Sequence, residues 1–165
     1  MENNVKVQDD TQSLQSCVSV SVTELRIGNL VELDNKESWL SFANLPMIVT
    51  EIDSKLSQKE KEIWNKSDGT ISLKYKYETF NQFSQFIKPI PLTEEWLLKF
   101  GYEKDGEFFD NETRLNFWTN KNTFNGILAD WADKTIGEVK YIHQLQNLYY
   151  ALTGSELQIG NLTEH

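Results

Sequence analysis

The sequence contains a single cysteine, Cys17, among its 165 residues. One thiol cannot form a disulfide within the chain, and it cannot supply the several thiolates of a cysteine-based zinc site. A chain with so little cysteine is typical of a reducing compartment, so we expect the cytosol.

Positive charge is also scarce. The formal net charge is −9, and Arg26 and Arg114 are the only arginines. Affinity for duplex nucleic acid comes mainly from Lys and Arg contacts to phosphates, so we do not expect a duplex as the partner. A few local cations could still hold a small anion of nucleotide size.

Long apolar runs are absent, and no segment approaches the length of a membrane span. Met1 is followed by Glu2, Asn3 and Asn4 rather than by a basic start and an apolar run, which argues against a secretory signal. We therefore expect a soluble, cytoplasmic protein without a membrane partner.

The common catalytic signatures are missing. The two histidines are His143 and the terminal His165, and the chain has neither a Gly-x-Ser-x-Gly segment nor a glycine-rich phosphate loop. We expect a non-catalytic protein with no catalytic residue and no cofactor.

Two pairs of carboxylates could hold a hard cation. They are Asp110 with Glu112, and Asp130 with Asp133. Acidic residues that form turns explain both pairs more simply, so we expect no metal site.

The clearest structural signal is a short helix near residues 93–100. Pro89 and Pro91 hold its approach extended, Thr93 can cap its first amides, and Gly101 can end it in the left-handed conformation. We expect a core built from this helix and later apolar positions: Trp96, Leu97, Phe100, Leu115, Phe117, Leu145, Leu148 and Leu152.

The N-terminal half alternates apolar and polar residues in several places, as strands do. Residues 17–22, 24–33 and 46–52 predict the opening of a small antiparallel barrel or curled sheet, and residues 71–77 show the most regular alternation. Between them, Ser57 and Glu60 fit a capping box, which predicts a helix near residues 58–66.

The C-terminal half predicts a second sheet and a final helix. Asp105-Gly106 is a hairpin signal, and strand patterns follow at residues 114–119, 124–131 and 135–140. The final helix is predicted over residues 141–152, where Tyr141, Leu145, Leu148 and Leu152 form one apolar stripe.

Together these patterns predict an α+β protein. It has a small antiparallel barrel-like N-terminal β unit, a central short helix, a second antiparallel sheet and a C-terminal helix. We divide the chain into an N-terminal extension with one candidate strand (1–23), the barrel-like unit (24–90), a helix–sheet–helix unit sharing the core (91–157) and a tail (158–165).

Three segments stand out as a set. They are Glu-Leu-Arg-Ile-Gly-Asn-Leu-Val at residues 24–31, Pro-Ile-Pro-Leu-Thr-Glu-Glu-Trp-Leu at residues 89–97, and His-Gln-Leu-Gln-Asn-Leu-Tyr-Tyr-Ala-Leu-Thr-Gly at residues 143–154. In this order they resemble a family of small proteins found in bacteria, phages and prophages. The resemblance begins at residue 24 and covers most of the chain from there.

The resemblance implies the kind of genome that encodes the protein, not a reaction that the protein catalyses. It carries over no catalytic residue, and it implies an accessory gene of a mobile element or virus. Many such genes act on host defence by binding, and a phage-encoded protein would work in the cytoplasm of the host cell.

Two groups of residues could bind a ligand. His143, Asn147 and Tyr150 form a polar stripe beside the apolar one on the final helix, although a helix edge bonded to loops or water is the favoured interpretation. Arg114 and Trp118, with Asn116 between them, share one face of a strand. Arg suits a bidentate grip on phosphate and Trp suits stacking on a base.

We consider three hypotheses for function. The first is a binding protein that sequesters a small anionic, nucleotide-like ligand. We expect that ligand to bind where the final helix meets the second β unit. The second is an acidic module that inhibits or adapts a host protein through charge complementarity. The third, a metal-dependent hydrolase, has the least support.

We also expect the protein to form a homo-oligomer. The chain has five tryptophans, six tyrosines and nine phenylalanines, which are many to hide in one small domain. The segment at residues 17–22 reads as a strand that could extend the sheet of a second copy, and a symmetric dimer is the commonest arrangement.

Overall fold

The computed structural model describes residues 19–34, 44–119 and 127–159. They form ten strands and three α-helices. The strands are β1 (Leu30–Leu33), β2 (Met47–Asp53), β3 (Thr70–Tyr75), β4 (Glu78–Phe83), β5 (Ile87–Pro89), β6 (Glu103–Asp105), β7 (Phe108–Asp110), β8 (Leu115–Thr119), β9 (Ile127–Trp131) and β10 (Lys134–Val139). The helices are α1 (Gln58–Ile63), α2 (Glu94–Lys99) and α3 (Ile142–Thr153).

The strands form two antiparallel sheets of five strands each. The first has the order β4-β3-β2-β1-β5, and the second is a meander with the order β10-β9-β8-β7-β6. The predicted α+β class, with its central and C-terminal helices, is confirmed. Among the described residues the first sheet is open rather than closed into a barrel, because β4 and β5 pair only on one side.

A short backbone pairing joins the two sheets. The amide of Leu92 donates to the carbonyl of Lys140 at 2.8 Å, and the amide of Ile142 donates to the carbonyl of Ile90 at 3.0 Å. The chain leaving the first sheet is thereby paired with the residues between β10 and α3, which brings the final helix alongside both sheets.

Two groups of buried apolar residues fill the interior. One lies on the first sheet and includes Val31, Leu33 and Met47. The other lies between the second sheet, α2 and α3, and Leu30 of the first sheet packs with it. Of the core residues expected from the sequence, Leu97, Phe100, Leu115, Phe117 and Leu145 are buried, whereas Trp96, Leu148 and Leu152 are only partly buried.

The local signals for the first two helices are confirmed. Thr93 accepts a hydrogen bond from the amide of Trp96 at 3.4 Å, and Gly101 has a φ of 83° just after α2. Ser57 and Glu60 form the predicted capping box, but α1 ends at Ile63 rather than near residue 66.

The strand expected at residues 17–22 is wrong where the chain is described. Cys17 and its neighbour lie outside the described residues, and Val22–Glu24 form a turn of 3₁₀ helix. The amide of Val20 donates to the carbonyl of Ile87 in β5 at 3.2 Å, but the amide of Val22 donates to the Asp68 carboxylate at 3.2 Å, so no ladder continues through Val22. Val20 and Val22 are buried in the core of the first sheet.

The strand expected at residues 71–77 is also too long. Tyr75 pairs with Glu78, so the chain turns at Lys76 and Tyr77 into β4. Lys76 has a φ of 53°, and Tyr77 is 93% exposed at the tip. This turn contains no Gly, Asn or Pro, so the alternation of apolar and polar residues continues through it without a turn signal.

The hairpin signal is confirmed with a shift of one residue. Asp105 pairs with Phe108, so the two turn residues are Gly106 and Glu107 rather than Asp105 and Gly106. Gly106 has a φ of 63°, a conformation that glycine adopts without steric strain.

The final helix is confirmed. Helix α3 begins and ends within one residue of the predicted bounds, and Gly154 follows it with a φ of 72°. Within the described ranges, no helix is both long and apolar enough to cross a bilayer.

Candidate functional site

Helix α3 is tied to residues 24–30 by side-chain hydrogen bonds, and we call this contact the seam. The Gln146 side chain accepts from the amide of Leu30 at 2.8 Å and donates to the carbonyl of Gly28 at 3.2 Å. Gln146 is only 4% exposed, so the two bonds satisfy an amide that has little access to water.

A second amide side chain continues the seam. Asn147 donates to the carbonyl of Glu24 at 2.8 Å and accepts from the side chain of Asn29 at 3.0 Å. Asn29, which is fully buried, also accepts from the amide of Arg26 at 2.7 Å. Asn147 therefore fixes the path of the chain into β1.

At the outer end of the seam, a guanidinium is held between an aromatic ring and a carboxylate. The Cζ atom of Arg26 lies 3.6 Å from the centroid of the Tyr150 ring, and its Nη2 atom lies 2.8 Å from Oε1 of Glu156. Arg26 is thus occupied by contacts within the chain.

His143 lies at the inner end of the seam and is 1% exposed. Its ring stacks on Tyr141 with centroids 5.8 Å apart, and neither ring nitrogen makes a hydrogen bond to another described residue. The nearest charge is Oε2 of Glu24, 3.7 Å from Nε2. Burial lowers the pKa of His143, and the Glu24 carboxylate opposes this only in part.

Three of the predicted ligand residues, His143, Asn147 and Tyr150, thus face residues 24–29. Their contacts within the chain account for them without a ligand. A ligand face at these positions is still a prediction. The two sides of the seam belong to residues 24–31 and 143–154, which are two of the three segments that carry the resemblance to phage proteins.

An open cavity of about 590 Å³ lies where α3 meets the loop between β7 and β8. Its walls combine carboxylates, hydrogen-bonding side chains and one aromatic ring: Glu103, Asp110, Asn111, Glu112, Thr113 and Tyr149. The predicted location, where the final helix meets the second β unit, therefore does contain a cavity.

A smaller cavity of about 290 Å³ adjoins the first and shares Asp110, Asn111 and Thr113 with it. Arg114 and Asp133 line its far end. We call the two cavities together the acidic groove.

The loop at the middle of the acidic groove is held in place by its own side chains. Oδ1 of Asn111 accepts from the amide of Thr113 at 2.8 Å and from the Thr113 hydroxyl. The Thr113 hydroxyl oxygen in turn accepts from the amide of Leu115 at 3.3 Å, where β8 begins. These bonds fix the side chains that divide the two cavities.

Negative charge dominates the acidic groove. Four carboxylates line it against one guanidinium, which gives a net charge of −3: Glu103, Asp110, Glu112, Asp133 and Arg114. Over the stretches of chain that the structure describes, none of these five side chains makes an ion pair. Their charges are therefore available to a partner.

Tyr102 lies under the loop of the acidic groove and is 2% exposed. Its hydroxyl has no hydrogen-bond partner among the described residues. Burial raises the pKa of Tyr102, while Asn111 and Thr113 beside the hydroxyl lower it to a smaller extent. The hydroxyl is therefore protonated at neutral pH.

Trp118 lies outside the acidic groove, on the outer face of the second sheet. It pairs across the strands with Phe108 and Leu128, and it is partly exposed. The structure therefore separates the five predicted ligand residues into three places. Arg114 lies in the groove and Trp118 on the outer face, and the three helix residues lie at the seam.

The acidic pairs named from the sequence lie partly in the groove. Asp110 and Glu112 line the larger cavity and Asp133 lines the smaller one, whereas Asp130 pairs with Asn116 across β8 and β9. Where the chain is described, no group of three or more His, Cys, Asp or Glu residues is placed to hold a metal ion.

Sequence reasoning missed Glu103 and Tyr149 as groove residues. A signal for the first was present, because Glu103, Asp105, Glu107, Asp110 and Glu112 place five acids in ten residues. Tyr149 has no such signal, since its neighbour Tyr150 carries the same side chain and faces the seam instead.

Comparisons of the chain with protein-family models, with curated proteins and with solved structures returned no match. The resemblance to phage and prophage proteins therefore stays a prediction.

Proposed function

We propose that the protein is a non-catalytic binding module whose acidic groove receives a positively charged surface of a partner protein. The observation that carries this proposal is the surplus of unpaired carboxylates around an open cavity. Elsewhere on the described surface, Glu94, Glu95 and Glu138 are paired with lysines, whereas Glu51, Glu62 and Glu78 make no ion pair with a described residue.

Charge complementarity makes such a groove useful for binding. A cluster of one sign raises the local concentration of an oppositely charged partner and speeds association, and this effect weakens as salt increases. The net charge of −9 acts in the same direction over longer distances.

The resemblance to phage and prophage proteins supports a host protein as the partner and the host cytoplasm as the place of action. On this view the module inhibits or adapts a host factor. This part of the proposal rests on the resemblance alone.

The test is partner retention from a bacterial lysate at low and high salt. The wild type is compared with a groove variant (Glu103→Gln, Asp110→Asn, Glu112→Gln) and with a matched control (Glu51→Gln, Glu62→Gln, Glu78→Gln). The control removes the same charge from exposed carboxylates of the first β unit.

We expect the wild type and the control to retain the same protein at low salt and to release it at high salt. The groove variant should lose it. Equal retention by the groove variant, or no specific retention by the wild type, would contradict the proposal.

A small anionic, nucleotide-like ligand is the second candidate, and Arg114 favours it. The Arg114 side chain is exposed, has no ion pair within the described ranges and lines the smaller cavity beside Thr113 and Asn116. Asp110 and Asp133 share that cavity and would repel an anion, which is why this candidate ranks second.

The second candidate predicts that Arg114→Ala weakens a confirmed nucleotide ligand by more than about tenfold, or about 1.5–3 kcal/mol. A thermal-shift screen of nucleotides identifies the ligand, and calorimetry compares the two folded proteins. Equal affinities would remove Arg114 from the site, and a screen without any response would remove this candidate.

A further inference from the structure

The seam contains a built example of how this protein holds a guanidinium. Arg26 lies with its Cζ atom 3.6 Å from the Tyr150 ring centroid, and Glu156 accepts from it at 2.8 Å. Planar guanidinium groups stack on aromatic rings and pair with carboxylates through a fixed fork of donors. For Arg26 the ring supplies the stacking surface and the carboxylate accepts one hydrogen bond from Nη2, whereas Nη1 has no hydrogen-bond partner among the described residues.

The larger cavity of the acidic groove offers the same combination, and none of the described residues fills it. Tyr149, the residue before Tyr150 on α3, lines it together with Glu103 and Glu112. Both carboxylates are exposed and, in the part of the chain that is described, unpaired. The ring and the acids therefore lie around one open space.

A buried hydroxyl lies beside this cavity. Tyr102 is 2% exposed and neighbours Asn111 and Thr113, which line the cavity, and among the described residues its hydroxyl has no hydrogen-bond partner. Leaving a buried polar group without a hydrogen bond is unfavourable. A further hydrogen-bonding group therefore lies next to the cavity.

The lining of the cavity suits a cation with several N–H donors better than it suits a small metal ion. Its lining side chains present acceptor oxygens on several sides, and in the described residues no cluster is placed to coordinate a metal. A guanidinium has five N–H donors in one plane, whereas an ammonium is a compact point charge with three. The planar group matches a cavity that has acceptors around an aromatic wall.

The shape of the groove favours an extended chain as the source of this group. The two cavities share Asp110, Asn111 and Thr113 as lining residues, and Arg114 and Asp133 line the smaller one. A peptide segment can therefore lie along both cavities, with one side chain inserted next to Tyr149.

We propose that the larger cavity is a pocket for an arginine side chain of the partner protein, in which the guanidinium stacks on Tyr149 and pairs with Glu103 and Glu112. This inference rests on the proposed function and adds the side chain that the partner must supply.

The experiment is a calorimetric titration with three blocked peptides, tetra-arginine, tetra-lysine and tetra-citrulline. Citrulline keeps the shape of arginine without its charge. The protein is used as wild type, as Tyr149→Leu and as Tyr149→Phe, a control that keeps the ring. Circular dichroism verifies that each variant is folded.

We expect the wild type to bind tetra-arginine about fivefold more tightly than tetra-lysine, and not to bind tetra-citrulline measurably. Tyr149→Leu should remove the preference for arginine over lysine, and Tyr149→Phe should keep most of it.

The outcomes separate the two proposals. Equal affinity for arginine and lysine peptides, or a preference that survives in Tyr149→Leu, would overturn the arginine pocket and leave a basic partner in place. Equal binding of the citrulline peptide, or no binding of either basic peptide, would overturn both.

Discussion

At the residue scale, the buried polar side chains of the seam differ in how they are satisfied. The amide oxygens and nitrogens of Gln146 and Asn29 are hydrogen-bonded, whereas the His143 ring makes no hydrogen bond to the described residues. Burial favours the neutral form of the imidazole, because removing the charged form from water is unfavourable. The attraction to the nearby Glu24 carboxylate offsets this penalty only in part.

His143 makes stability depend on pH. Its pKa is lowered in the folded protein, mainly by burial, while the unfolded chain titrates near the ordinary value of about 6.5. Below that value the unfolded chain binds more protons, so the free energy of unfolding should fall as pH falls toward the folded pKa. Each unit of lowering corresponds to about 1.4 kcal/mol.

Urea unfolding at about pH 7.5 and about pH 5.5 measures this effect, with His143→Gln as the comparison. The Glu24 carboxylate faces the ring, and the Tyr141 ring stacks on it. Carboxylates that lie away from the ring contribute equally to both proteins and cancel in the difference. The wild type should lose more stability than the variant, and equal losses would contradict the burial argument.

At the element scale, the helices with strong local signals could be predicted from the sequence, whereas one turn could not. Thr93 and Ser57 cap their helices through bonds to residues three positions away, so the needed information is local. The turn at Lys76 and Tyr77 is set by the pairing of β3 with β4, and neither residue type marks a turn.

The buried face of α3 shows a similar limit. The apolar stripe predicted Leu145 and Leu148 as equal core residues, but the helix is turned so that Ile142 and Leu145 are fully buried and Leu148 is partly exposed. Gln146 is buried beside them because the loop before β1 offers partners that lie far away in sequence.

We therefore expect different effects from two large-to-small substitutions on α3. Leu145→Ala should cost about 2–5 kcal/mol of stability, the range for a fully buried leucine. Leu148→Ala, for which the sequence alone predicts the same range, should cost less because part of its side chain already contacts water. Chemical denaturation measures both, and equal costs would contradict the orientation of the helix.

At the scale of the whole molecule, the acidic groove is the feature that local patterns could not predict. Its wall comes from Glu103, from residues 110–113 and from Tyr149, which only the folding of the meander against α3 brings together. The acid-rich run at residues 103–112 indicates charge, but the aromatic wall depends on which way α3 faces.

Self-association is still a prediction, but the surface that we expect to form the contact is a different one. Val20 and Val22 are buried within their own chain, so they are not free to extend another sheet. Phe108 is 60% exposed beside Trp118 on the outer face of the second sheet, and this surface can contact a second copy. Light scattering should give about twice the monomer mass.

A mass of 19.2 kDa at every usable concentration would rule out the dimer. If a dimer is found, Phe108→Ser should shift it toward the monomer, and Tyr77→Ser, which removes another exposed aromatic side chain from the first sheet, should leave it unchanged.

A positively charged partner should bind in the acidic groove. Amide NMR spectra recorded during a titration with an arginine-rich peptide locate the bound surface, because each shifted signal belongs to an identified residue. We predict the largest shifts at Glu103, Asn111, Thr113 and Tyr149, little change in β3, and loss of the shifts in the groove variant. Shifts centred on the first sheet, or unchanged shifts in the groove variant, would contradict it.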